Sequence, residues 1–196
     1  MRIQHYRTYR IESANLEPVA AENWESLFSQ LPYFQSWNSW CLRKRSTSNL
    51  RPLCTSVSRT RVEIAQSILS TFLATDIPPY MPATLDYGEV NQTLLPPVVL
   101  KSFEGTQGII LDGMHRLFSA AENASDLIYV LEIDYPKIVL PGSPQTWDNV
   151  QLLNHQPAAP DKFVDYNPEG FRKPFTTCLN GEWLWTHTKS REETKK

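Results

Sequence analysis

The stretch from Gly108 to Glu122, "GIILDGMHRLFSAAE", constrains this chain more than any other. Gly108 to Leu111 read as a short buried strand. Met114, Leu117, Phe118 and Ala121 then recur at helical spacing. The period changes from strand-like to helix-like across one pair of residues, Asp112-Gly113. Glycine supplies the unusual backbone angles that so abrupt a turn requires. A helix that starts directly from a strand tip has unpaired N–H groups in its first turn. Those amides, with the helix dipole, attract anions. Two readings follow. In one, Asp112 caps the helix, Gly113 only turns the chain, and His115 and Arg116 lie on the surface. In the other, Gly113 to Arg116 cradle a phosphate, and His115 and Arg116 add charge-assisted hydrogen bonds. Asp112 would then hold Mg²⁺ or orient a nucleophile.

The flanks of this corner predict an α+β core over residues 50–135: a small mixed sheet with helices. "VVLKS" and "GIILDG" are β runs joined by the turn residues of "EGTQG". "LIYVLEID" is a further strand, and "LRPLCTSV" another short one. "RTRVEIAQSILSTFLA" places Val62, Ala65, Ile68, Leu69 and Phe72 on one helical face. The segment "TDIPPYMPATLDYGEVNQTLLPP", rich in proline, reads as a lid or substrate-facing loop. Residues 1–49 read as an N-terminal arm with a helix in "NLEPVAAENWESLFSQL", stopped by Pro32. "YFQSWNSWCLRKRSTSN" has no clear period. Residues 136–196 read as a C-terminal extension, with an edge strand in "KIVLPG" and a β-hairpin in "PFTTCLNGEWLWTH" turning on Asn180-Gly181.

Composition removes several function classes. The formal net charge is −2, so the chain as a whole has no electrostatic pull toward nucleic acid. Only a local basic run, Arg43, Lys44 and Arg45 with Arg51, Arg59 and Arg61, keeps a nucleic-acid partner in play. Cys41, Cys54 and Cys178 are far apart and form no CxxC, which argues against zinc. There is no apolar stretch in "MRIQHYRTYRIE" and no run of about 18 apolar residues, so we expect a cytoplasmic protein with no membrane partner. Neither a G-x-S-x-G elbow nor a P-loop is present.

The run "PVVLKSFEGTQGIILDGMHRLFSAAE" resembles the ParB/sulfiredoxin superfamily, whose small α/β fold binds nucleotide phosphates at such a corner. Asp112 to Arg116, "DGMHR", is most similar to the D-G-x-H-R motif of its free-serine kinase branch. The resemblance covers roughly residues 50–135. It implies a nucleotide-dependent phosphotransferase acting on a hydroxyl of a small molecule such as a serine-like amino acid, with ATP or ADP as donor and Mg²⁺. It implies Asp112 and His115 as catalytic residues, Asp112 also as metal ligand, and Gly113, Met114, His115 and Arg116 around the phosphates, with Arg61 reaching in from its helix. Three departures shape this. Met114 stands where sulfiredoxin carries its cysteine, which removes thiol-based reductase chemistry. Met-His-Arg-Leu replaces the Arg-rich box of ParB. The serine kinases carry a glutamate upstream of the helix, and here "CTSVSRTR" has no acid. Glu89, with Asp86 nearby, is the substitute base. The alternative is a non-catalytic nucleotide-sensing or nucleic-acid-binding module of ParB type.

Overall fold

The computed structural model describes residues 15–31, 34–87, 90–101, 107–123, 127–155, 157–172 and 185–187. In chain order the strands are β1 (Asn15–Pro18), β2 (Ser39–Arg45), β3 (Leu50–Arg51), β4 (Ser56–Ser58), β5 (Ala83–Tyr87), β6 (Val90–Leu94), β7 (Val98–Lys101), β8 (Gly108–Ile110), β9 (Ile128–Asp134), β10 (Gln151–Leu153) and β11 (Trp185–His187). The helices are α1 (Trp24–Phe28), α2 (Arg59–Leu73), α3 (Met114–Glu122), α4 (Ala159–Lys162) and α5 (Pro168–Arg172). The class is α+β, as the sequence predicts.

A five-stranded mixed sheet, ordered β2-β9-β7-β8-β3, carries the core. β7 pairs antiparallel with β8 and parallel with β9. Both faces of this sheet are covered, so its central strands are apolar on both sides. Val99, Ile110, Ile128 and Val130 meet α2 and α3, whose Val62, Ile68, Leu69, Phe72, Leu117 and Phe118 form one cluster with them. Val98, Leu100, Leu131 and Ile133 point the other way, toward Phe28, Leu31 and Phe163. Strand alternation accounts for the division. The apolar face expected for α2 is the buried one. On α3, Met114, Leu117 and Phe118 are buried as expected, with Ala120 in place of Ala121.

Five expectations change. "LRPLCTSV" is two strands, β3 and β4, because Pro52 has no N–H to continue a ladder. The proline-rich segment contains a hairpin, β5–β6, in a second sheet ordered β1-β5-β6-β11. Its prolines flank the hairpin and leave the strands themselves free to pair. The N-terminal helix is only five residues long, and the chain before it spends Asn15–Pro18 on pairing with β5. β2, which the sequence leaves without a period, is a seven-residue edge strand antiparallel to β9. It therefore belongs to the main sheet, and the boundary at residues 49 and 50 falls inside that sheet. "KIVLPG" forms no strand. Most of the expected C-terminal hairpin, residues 173–184, lies outside the described residues, while β11 pairs with β6. No helix among the described residues is long and apolar enough to cross a membrane.

Candidate functional site

The corner between β8 and α3 is held from three directions. Leu111 and Asp112 both donate their N–H to the Val98 carbonyl, at 2.9 and 3.1 Å, which ties the strand tip to β7. Gly113 has φ +82°, where a side chain is strained. Space excludes one as well, since a Cβ there would lie 2.7 Å from the Pro97 Cβ. The Leu117 amide then closes the first helical bond onto the Gly113 carbonyl at 2.9 Å.

Arg116 turns inward. Its Nη2 donates to Asp112 Oδ2 at 3.2 Å, and its Nη1 donates to the Leu95 carbonyl. The guanidinium carbon lies 5.9 Å from the centre of the Tyr80 ring, and the Tyr80 hydroxyl donates to the Arg116 carbonyl at 3.0 Å. These contacts lock the first turn of α3 against the chain before β7. Arg116 is thus neither a surface residue nor a free phosphate ligand.

Asp112 is the other half of that lock and is only 6% exposed. Burial pushes its carboxyl up to about 6, against the Arg116 charge and the Gly113 amide, which hold it down. The Mg²⁺-ligand role expected of Asp112 does not fit these surroundings. A guanidinium already occupies the carboxylate, and no three His, Cys, Asp or Glu side chains gather as a metal-binding group among the described residues. The Met114 side chain is buried in the helix–sheet core, which leaves its backbone amide as the group that could serve a phosphate.

His115 lies on the opposite side of the same turn. Its Nε2 accepts from the Ser58 N–H at 3.2 Å. Ser58 is the N-cap of α2, so the starts of two helices meet at one imidazole. Burial pulls His115 down to about 4, and the charges of Arg61, Lys162 and Arg116 add to the effect. The ring is neutral at pH 7, and with Nε2 accepting, its proton resides on Nδ1.

Arg61, in the first turn of α2, and Lys162, the last residue of α4, are both half-buried. Neither is in an ion pair with a described residue. Burial lowers the Lys162 pKa, Cys54 opposes that, and Arg61 lowers it further. Cys54 itself is pushed up to about 11 by burial, so it stays a thiol. The charge of Arg61 thus bears on His115, and so does that of Lys162, which no motif marks. Asp86 is exposed on β5, in the second sheet. Glu89 lies outside the described residues.

No known protein family matches the chain, and no curated protein is significantly similar to it. Among solved structures, it is similar to protein Atu1540 from Agrobacterium tumefaciens, with 14% identity and a TM-score of 0.33. That match covers 48% of this chain and 40% of the other. A likeness this weak carries no argument about function.

Proposed function

We propose that the chain seats the phosphates of a nucleotide where α2 and α3 begin, and transfers a phosphoryl group to the hydroxyl of a small molecule. We place it with the ParB/sulfiredoxin-like folds on the strength of the Asp112–Arg116 motif. The observation that supports the reading best is electrostatic. Two helix starts meet at a neutral histidine, the charges of Arg61 and Lys162 bear on it, and no carboxylate among the described residues forms an ion pair with either cation. Such a place favours a multiply charged anion.

Each residue then has a physical task. The amides of the first turn of α3 and the His115 Nδ1–H donate to phosphate oxygens. Arg61 supplies charge. Asp112 is a positioning residue: it fixes Arg116, and through it the angle at which α3 leaves the sheet. Phosphoryl transfer of this kind depends on placement and charge neutralisation more than on covalent chemistry. Mg²⁺, arriving with ATP or ADP, supplies further neutralisation when bound.

The test is a reaction. The full chain is incubated with ATP or ADP, Mg²⁺ and a pool of hydroxy-amino acids, and small molecules are examined for the added mass of a phosphate. A phosphorylated product is the expected result. A second reading, a nucleotide sensor without turnover, is favoured by the commitment of Asp112 to Arg116, which removes the corner's acid from base chemistry. Nucleotide binding with no product would select that reading. Absence of nucleotide binding would remove both. The nucleic-acid alternative is weakened because Arg43 and Arg45 already face Glu132.

A further inference from the structure

We propose that Lys162 is a phosphate ligand, forming with Arg61 and the edge of His115 a two-cation seat for a diphosphate unit. The inference rests on the reading above, that this junction takes nucleotide phosphates. It adds a residue from outside the strand-to-helix core, and it specifies the charge of the ligand.

The backbone around Lys162 is firmly held. Its carbonyl accepts from the Thr55 N–H at 2.7 Å and from Thr55 Oγ1 at 3.2 Å. The next residue, Phe163, pairs with Cys54 in an antiparallel bridge, is buried, and stacks on Tyr166 with ring centres 6.2 Å apart. These bonds fasten the end of α4 to the segment that leads into β4, whose last residue donates to His115. The backbone of Lys162 thus lies against the segment that runs into β4 and the start of α2, and its charge bears on Arg61, His115 and Cys54.

Among the described residues, no carboxylate forms an ion pair with the Lys162 head group. Asp161, its neighbour in sequence, is exposed and pairs with no described residue. A half-buried lysine and a half-buried arginine near one another repel, and burial strengthens the repulsion. The half-buried Arg45, by contrast, is paired with Glu132. A net charge of about two is complementary to adjacent phosphate groups, and exceeds what one monoanion would balance.

The test uses the full chain, inorganic pyrophosphate and ATP, with titration calorimetry at low salt. Wild type binds both, and Lys162→Met weakens pyrophosphate by about tenfold or more, the usual effect of losing one charge-assisted hydrogen bond. Lys162→Arg restores most of the affinity. The thermal midpoint of Lys162→Met stays near wild type, because the anchoring bonds of this residue are made by its backbone. Should that variant fail to fold, Lys162→Gln carries the same comparison. Wild-type affinity in a folded Lys162 variant overturns this inference and leaves the nucleotide site standing. A wild-type protein that binds neither pyrophosphate nor ATP overturns both.

Discussion

Two groups of cations in this molecule are built on opposite plans. At the β2–β9 edge, Arg45 and Arg43 close on Glu132, whose side chain is 3% exposed, with the Arg43 Nε 3.7 Å from Oε1. At the α2–α3 junction, the charges of Arg61 and Lys162 act on His115, and neither cation pairs with an acid among the described residues. The first group is electrically complete within the chain. A buried carboxylate must be paired, and strand pairing sets Cys41 opposite Glu132, with Arg43 and Arg45 further along the same face. The second group has no counter-charge among the described residues, as the proposed anion site requires. Basic residues in a sequence therefore carry little functional meaning until their counter-charges are known.

Breaking the completed group should have the largest effect. Glu132→Gln leaves Arg45 without its counter-ion and is expected to destabilise the fold by about 3 kcal/mol, read as a shift of the urea unfolding curve. A loss under about 1 kcal/mol would show that Glu132 is not what completes it.

The groups at the α2–α3 junction respond to pH in opposite directions. Burial raises Asp112 from 3.8 to about 6, so its stabilising contribution is full below pH 4 and lost as pH rises through 6. His115 runs the other way. Its value falls from 6.5 to about 4, so its contribution is full above 6.5 and lost as pH falls toward 4. The two slopes oppose each other between about pH 4 and 6. Replacing the imidazole in His115→Asn exposes the Asp112 slope. Relative to wild type, the variant should lose stability as pH rises from 4 to 6, on the order of 1 kcal/mol per pH unit. Parallel stability curves would mean that His115 is not held neutral by its surroundings.

The smallest effect has the opposite sign to the first. Arg61→Met relieves repulsion in the ligand-free protein and should raise its stability by about 0.5 kcal/mol at low salt, while added pyrophosphate raises its melting temperature less than it does for wild type. Destabilisation by Arg61→Met would indicate a counter-ion within the chain.

How much of this was legible beforehand differs from element to element. The α2 and α3 faces were readable because helical spacing of apolar residues leaves one buried stripe. The β7–β8 pairing was readable from two apolar runs around turn residues. β2 was not, because one of its faces carries Cys41, Arg43 and Arg45 where apolar residues would have shown an alternation. The lid became a hairpin because prolines punctuate a chain without saying whether strands lie between them. In the site, Gly113 and His115 were visible as part of one contiguous motif. Lys162 was invisible, since nothing local distinguishes it from any surface lysine.

By itself, then, the order of residues settled the local events: where the chain turns, which helical faces go inward, and that Asp112 to Arg116 stand at a strand-to-helix corner. Those follow from short-range sterics and periodicity. Only the tertiary structure decided what each polar group meets. It turned Arg116 onto Asp112 and away from solvent, gave Glu132 to Arg45, and left Arg61 and Lys162 without a described counter-ion. The reason is that electrostatic interactions depend on distance through space, and residues far apart along the chain become neighbours only once the sheet has formed.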